Sequence, residues 1–174
     1  MIRIKTIQEL KPYVKYIESK YIDGLHSHII IDFTSRDVLN KVIVDCKCNL
    51  REPSKRLQKI LGVEKLIKAD KYVQYVLVEI HSDALILNDN FTCSKIVSKG
   101  LYIKKGKQLH TDYIEATKFI GGGSIKAYGV FSDVLYIEKL NCENFQCKTL
   151  SIKRRFKDKV IMADKIVVYT SGWP

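Results

Sequence analysis

A short motif recurs about every 16 residues along the chain and limits the folds that the chain can adopt. Each copy has an apolar residue, a small residue two positions later, a polar residue next, and an apolar residue three positions after the small one. The clearest copies are EIHSDALIL at 79–87, KIVSKGLYI at 95–103, YIEATKFI at 113–120 and IMADKIVV at 161–168. We take the small residue as the anchor of each copy, and the anchors are Ser19, Ser35, Ser54, Ala69, Ser82, Ser98, Ala116, Ser132, Cys147 and Ala163.

The spacing inside the motif predicts short strands separated by a bend. Residues two apart lie on the same face of a strand, so Ile80 and Ser82 point the same way. The next apolar residue is out of phase with them, and a bend at the polar position returns it to the inside. Such segments bury an apolar face only by stacking. We therefore predict a mainly β fold, a β-solenoid with coils of about 16 residues. Its core rows include Ile80, Ile96 and Ile114, and Leu85, Leu101 and Phe119.

The N-terminal third of the chain fits the repeat less well. Apolar residues fall at helical spacing in two places there: Ile7, Leu10, Val14 and Ile17, and Leu57, Ile60, Leu61 and Leu66. Ser54 is placed to cap the second of these helices. We predict a single domain over 1–174, with an N-terminal cap or irregular coils over 1–65, regular coils over 66–168 and a tail over 169–174.

The succession of units such as KIVSKGLYI, YIEATKFI and IMADKIVV resembles bactofilins, the polymer-forming bacterial cytoskeletal proteins built on a right-handed β-helix. The resemblance covers residues 82–168 best. It implies end-to-end stacking into filaments without nucleotide, and therefore self-association. The chain departs from the family in having few glycines within the coils, a strong basic excess and a helical pattern near its start.

No cofactor is predicted from the motifs. The glycine-rich run Gly121-Gly122-Gly123-Ser124 lacks the lysine and the spacing of a P-loop, so we expect it to form a flexible bend between coils. The five cysteines show neither C-x-x-C nor finger spacing, and they are predicted to be reduced residues of the core and corners: Cys46, Cys48, Cys93, Cys142 and Cys147.

The compartment is predicted from what the sequence lacks. The N-terminal MIRIKTIQEL has no signal-peptide core, and no apolar run is long enough for a transmembrane segment. We expect a cytoplasmic protein.

The basic excess predicts an anionic partner. The chain has 30 Lys+Arg against 19 Asp+Glu, a formal net charge of +11. The excess is concentrated in two loops, Lys104, Lys105 and Lys107, and Lys153, Arg154, Arg155 and Lys157. Stacked coils would bring such loops into one basic surface for a nucleic acid or another anionic surface. Tyrosines are available for stacking at Tyr13, Tyr16, Tyr102, Tyr128 and Tyr136.

An enzyme is the alternative hypothesis. Asp32 ends one apolar run, and Asp45 and Lys47 end the next, which resembles the D…(D/E)xK centre of restriction-endonuclease-like nucleases of the α/β class. In such a centre two carboxylates hold Mg²⁺ and the lysine acts on the attacking water. The main prediction remains a non-enzymatic structural or interaction module, because most of the order in the sequence lies in repeated core and corner positions.

Overall fold

The computed structural model describes residues 1–16, 26–35, 37–51, 54–62, 75–152 and 162–168, and the chain is mainly β within them. The strands are β1 (Ile2–Ile4), β2 (Val14–Tyr16), β3 (His26–Asp32), β4 (Lys41–Val44), β5 (Cys48–Asn49), β6 (Tyr75–Leu87), β7 (Phe91–Thr92), β8 (Lys95–His110), β9 (Tyr113–Ile152) and β10 (Met162–Val168). The helices are a 3₁₀ helix (Ile7–Tyr13) and α1 (Lys55–Leu61). Among these described elements, no helix is long and apolar enough to cross a membrane.

The strands form one curled sheet in which β2 pairs antiparallel with β3 and every other described pair is parallel. The long strands β6, β8 and β9 bend, so their successive parts belong to three ladders. Ladder A joins β3, β6, β8 and β9; ladder B joins β4, β6, β8 and β9; ladder C joins β5, β7, β8 and β9. One buried row from each ladder is Ile31, Ile80, Ile96 and Ile114 in A, Val42, Leu85, Leu101 and Ile120 in B, and Cys48, Phe91, Leu109 and Ile125 in C. These rows belong to a single core.

The cross-strand register aligns the predicted anchors from residue 82 onward wherever their pairing is described. Ser82 lies beside Ser98, which lies beside Ala116, and Cys147 lies beside Ala163. The sequence spacing of the motif therefore appears in the structure as the offset between neighbouring parallel strands.

One predicted core position is wrong by a single residue. Ile120, not Phe119, lies beside Leu101, and Phe119 is 39% exposed. The bend of β9 is longer than that of β8, because β9 takes three residues from Ala116 to Phe119 where β8 takes two from Ser98 to Gly100. A bulge of this kind reverses the face to which the following side chains point.

The coil predicted around Ser54 is not present, since β3 pairs directly with β6. Ser54 instead caps α1, where its Oγ accepts a hydrogen bond from the backbone N–H of Leu57 at 3.3 Å. Leu57 and Leu61 are buried on the helix. The helical expectation for this segment is therefore confirmed. The predicted anchors Ser19 and Ala69 lie outside the described residues.

The predicted anchor Ser35 belongs to a turn rather than to a ladder. Its Oγ accepts hydrogen bonds from the backbone N–H groups of Asp37 and Val38 at 3.3 and 3.0 Å. Ile31, not Phe33, lies in the row of Ile80. The register predicted for the Ser35 copy is therefore wrong.

Small side chains close the corners between ladders. Ser98 Oγ donates to the carbonyl of Gly100 at 2.7 Å, and Ser132 Oγ donates to that of Val134 at 3.0 Å. The same contact to the carbonyl two residues ahead is made at another corner by Thr111 Oγ1, at 3.3 Å. A carbonyl at a bend is turned out of the regular ladder, and a short side chain can supply its donor. This contact favours serine or threonine at these three corners.

The glycine run predicted to be a flexible bend lies within β9, where the chain passes from ladder B to ladder C, and Gly121, Gly122 and Gly123 are buried there. Gly122 has φ +103°, and a Cβ there would lie 1.7 Å from the carbonyl oxygen of Ile103. A Cβ on Gly123 would lie 2.3 Å from the carbonyl oxygen of Lys107. The run therefore allows two backbone segments to approach closely.

Substitution of Gly122 by alanine should destabilise the fold by at least about 2 kcal/mol, through both the clash and the positive φ. The free energy of unfolding in urea, followed by circular dichroism, measures the effect. The control is Gly100→Ala, because a Cβ at Gly100 meets no atom within 4 Å. Gly100→Ala should change the free energy by less than about 1 kcal/mol. Equal effects of the two substitutions would contradict this account.

Candidate functional site

A groove with a volume of about 530 Å³ lies on the outer face of ladder A. We call it the tyrosine groove and define it by Arg51, Glu79, Lys95, Asp112, Tyr113 and Tyr128. Its wall also includes His28, Leu77 and Ser94. Both aromatic and charged groups therefore face one opening.

The floor of the tyrosine groove is one cross-strand row. Glu79 pairs with Lys95, and Lys95 pairs with Tyr113. Each of the three directly precedes a buried isoleucine of ladder A. Because successive side chains on a strand point to opposite faces, burial of the isoleucines turns the three preceding residues outward.

The edge of the groove is a corner in which backbone groups are well paired. The carbonyl of Ser94 accepts hydrogen bonds from the N–H groups of Asp112 and Tyr113 at 3.0 and 3.1 Å. The carbonyl of Asp112 accepts those of Tyr128 and Gly129 at 2.9 and 2.8 Å. Two successive turns of the chain thus hold Asp112, Tyr113 and Tyr128 in fixed relative positions.

The two tyrosine rings contact each other edge to face, with centroids 5.4 Å apart and planes at 72°. Tyr113 is 41% exposed and Tyr128 is 46% exposed. Gly129 leaves the space that the Tyr113 ring occupies, since a Cβ there would lie 2.8 Å from its Cδ1. The aromatic pair is therefore built into the fold and open to solvent.

The charged groups of the groove are already paired. Arg51 Nη2 lies 2.7 Å from Asp112 Oδ1, and Lys95 Nζ lies 2.9 Å from Oε1 of Glu115, just outside the groove. Glu79 has a histidine contact on each carboxylate oxygen. Within the six residues that define the groove, two cations face two anions, and neither sign is in excess.

Glu79 lies between two imidazoles. His81 Nε2 is 3.1 Å from Oε2 of Glu79, and His28 Nδ1 is 3.7 Å from Oε1. The hydrogen bond from His81 lowers the pKa of Glu79, against the opposing effect of burial, and nearby Lys95 also lowers it. Glu79 is therefore an ionised acceptor at neutral pH.

A third imidazole lies behind Arg51. Burial lowers the pKa of His110, and the charges of Lys126 and Arg51 act in the same direction. His110 Nε2 is 3.5 Å from Nη1 of Arg51. A neutral ring at this position avoids a third positive charge beside Arg51 and Lys126.

The first predicted basic loop lies on β8 between ladders B and C, and it contains Lys104, Lys105 and Lys107. Lys107 Nζ is 2.7 Å from Asp89 Oδ1, and this hydrogen bond lowers the pKa of Asp89. Lys104 and Lys105 are exposed. The second predicted loop, Lys153, Arg154, Arg155 and Lys157, lies outside the described residues.

The predicted nuclease residues lie at two separate corners: Asp32, and Asp45 with Lys47. Asp32 ends β3 beside His81, and its Oδ1 accepts hydrogen bonds from the N–H and Oγ1 of Thr34 at 2.8 and 2.6 Å. Asp45 follows β4 near the other end of β6, where it contacts Arg3 and Asn88. The structure does not bring the two carboxylates together, and the nuclease function stays a prediction.

The cysteine prediction is confirmed for burial. Cys48, Cys93, Cys142 and Cys147 are buried, Cys46 is half-buried, and none forms a disulfide. Burial raises the pKa of the Cys93 thiol to about 12, so that thiol is protonated at neutral pH. Within the described ranges, no group of three or more histidine, cysteine, aspartate or glutamate side chains is placed to hold a metal ion.

Sequence reasoning found only part of the tyrosine groove. Tyr128 was among the predicted stacking residues, whereas Tyr113, Glu79 and Lys95 were missed. The position three residues before the anchor could have indicated the groove, because it holds residues that face outward from neighbouring strands. In successive copies these residues are Glu79, Lys95, Tyr113 and Gly129. Another predicted stacking residue, Tyr13, packs on Phe33 with centroids 5.4 Å apart.

A scan against protein-family models matches none, and comparisons with curated proteins and with solved structures find no significant match.

The Glu79 contacts predict a change of stability with pH. Because the folded pKa of Glu79 is below the usual value for a glutamate, the stabilisation that its carboxylate provides is present above that usual value and is lost as the pH falls through the folded pKa. Glu79→Gln should therefore be less stable than the wild type at neutral pH and should lose less stability on acidification. Urea unfolding across an acid pH series measures both effects. Glu143→Gln, at an exposed position, controls for removal of a surface carboxylate and should retain the acid loss. An unchanged pH profile in Glu79→Gln would contradict this role.

Proposed function

We propose that this chain is a β-solenoid interaction module that binds an anionic partner on a basic surface and associates with copies of itself. The observation that carries the proposal is the parallel register that places Ser82 beside Ser98, Ser98 beside Ala116, and Cys147 beside Ala163. Segments that stack in this way use their inward positions for the core and leave repeated outward positions for binding.

The loop from Lys104 to Lys107 supports the anionic partner. It joins ladders B and C, and Lys104 and Lys105 are exposed residues there. The charge of Lys107 is partly offset by Asp89 at 2.7 Å. Lysines of this kind attract phosphate groups mainly as point charges, so their contribution depends on salt.

Reversing the charge of Lys104 and Lys105 should weaken binding to a fluorescein-labelled DNA duplex and reduce the slope of log K against log salt by up to about 2. Fluorescence anisotropy over a salt series measures both quantities. The matched control is Lys55→Glu with Lys59→Glu, which changes the net charge equally on the exposed side of α1. Equal loss in the two double variants would show that net charge alone, and not this loop, attracts the partner. The same measurement with anionic lipid vesicles in place of DNA tests whether the partner is a membrane surface instead of a nucleic acid.

The outer edge of β10, the last described strand, supports self-association. Among the described strands, β10 pairs only with β9, so one edge of β10 has no described strand against it. At the opposite end of the sheet, β1 lies on β4, and residues of the 3₁₀ helix and α1 belong to the core. An edge of unpaired backbone groups is a template for another strand. The resemblance to bactofilins implies the same mode of association.

Sedimentation velocity over a concentration series should show the mass of the protein rising with concentration. The Lys104→Glu, Lys105→Glu variant should associate equally, because its substitutions lie at a corner and not at the edge of β10. A single monomeric species at every concentration would contradict self-association and would leave the DNA-binding result unaffected.

A further inference from the structure

We propose that the tyrosine groove binds an uncharged saccharide, with one sugar ring stacked on the Tyr113–Tyr128 pair and its hydroxyl groups bonded to the paired charges of the groove. This inference goes beyond the proposed function. The groove lies on ladder A, whereas the basic loop lies between ladders B and C. The two sites can therefore be tested independently.

The charge balance of the groove favours an uncharged ligand. Arg51 and Lys95 provide donors, and Glu79 and Asp112 provide acceptors, with no excess of either sign. An anionic ligand would meet the two carboxylates, and a cationic ligand would meet the guanidinium and ammonium groups. A ligand rich in hydroxyl groups can donate to the carboxylates and accept from the cations at once, because each hydroxyl is both donor and acceptor.

The aromatic pair favours a ring with an apolar face. The edge-to-face contact of Tyr113 and Tyr128 means that the two rings cannot both present a face in the same plane, so the opening offers one stacking face bounded by the edge of the second ring. A pyranose has such a face, made of C–H groups, with hydroxyl groups at its rim. The stacked ring would then lie between the tyrosines and the charged row of Glu79 and Lys95.

The groove is organised before any ligand binds. Its volume of about 530 Å³ is in the range of small-ligand sites and exceeds what one sugar ring needs. The carbonyls of Ser94 and Asp112 hold the corner through backbone hydrogen bonds, and Gly129 sets the position of the Tyr113 ring. Little ordering entropy is therefore lost on binding.

A single-stranded nucleic acid is the competing occupant, since its bases also stack on tyrosines. Its phosphates would lie close to Asp112 and Glu79, and both lysine and arginine in the groove already have carboxylate partners. The lining lacks the positive excess on which phosphate binding depends. The groove therefore favours the saccharide.

The experiment is a titration of the full chain with neutral tetrasaccharides of glucose, galactose, mannose and xylose in α and β linkage. Calorimetry measures affinity, and saturation-transfer NMR identifies the sugar protons that lie on aromatic rings. We expect at least one of these sugars to bind. Tyr113→Ala and Tyr128→Ala should each weaken binding at least about fivefold, which is the lower end of the range for a nucleobase stacked on one aromatic ring. Tyr113→Phe should retain most of it.

The matched control is Tyr102→Ala. Tyr102 is 41% exposed on ladder B, away from the groove, so its loss should leave saccharide binding unchanged. Thermal unfolding shows which variants are folded. If Tyr113→Ala does not fold, the binding measurement on Tyr128→Ala tests the proposal. The proposal is overturned if no neutral tetrasaccharide binds, or if Tyr102→Ala weakens binding as much as the groove variants. It is also overturned if tetragalacturonate or a single-stranded oligonucleotide binds the groove more tightly than every neutral sugar.

Discussion

Parallel hydrogen bonding between segments about 16 residues apart is the interaction on which the rest of this structure depends. A strand of this kind cannot satisfy its own backbone groups, so each segment needs the next one in register. Once the register is set, equivalent positions stack: Ile80, Ile96 and Ile114 become one buried row, and Ser82, Ser98 and Ala116 become one corner. The register of the parallel strands therefore determines both the buried rows and the corners.

The same register makes a site from positions that are far apart in sequence. Glu79, Lys95 and Tyr113 meet because each precedes a buried isoleucine on a neighbouring strand. The absence of a side chain at Gly129 then lets the Tyr113 ring lie against the next turn of the chain. A charged row and an aromatic pair on one opening are therefore a consequence of the stacking.

Prediction from the sequence succeeded where the chain repeats regularly and failed where a local insertion interrupts it. The anchors from Ser82 onward have the expected register where it is described, because apolar burial and small corner residues recur together. Phe119 was misplaced because a bulge adds one residue to the bend, and nothing in the motif signals the longer bend. At Ser54 the repeat motif and a helix start were both predicted, and the helix start is what the structure has, because a small residue before apolar positions fits both patterns. The basic loop was found from composition, but its pairing with Asp89 was not.

The sequence by itself determined the mainly β class and most inward positions of the regular copies, because burial within a strand depends on the alternation of its side chains. Only the tertiary structure decided which outward side chains meet. Contacts between outward side chains depend on how far each segment is offset from its neighbour. The offset is set by backbone hydrogen bonds, bulges and insertions rather than by side-chain polarity. Outward positions have no apolar constraint to reveal them, so the groove of Tyr113 and Tyr128 became visible only when the strands were paired.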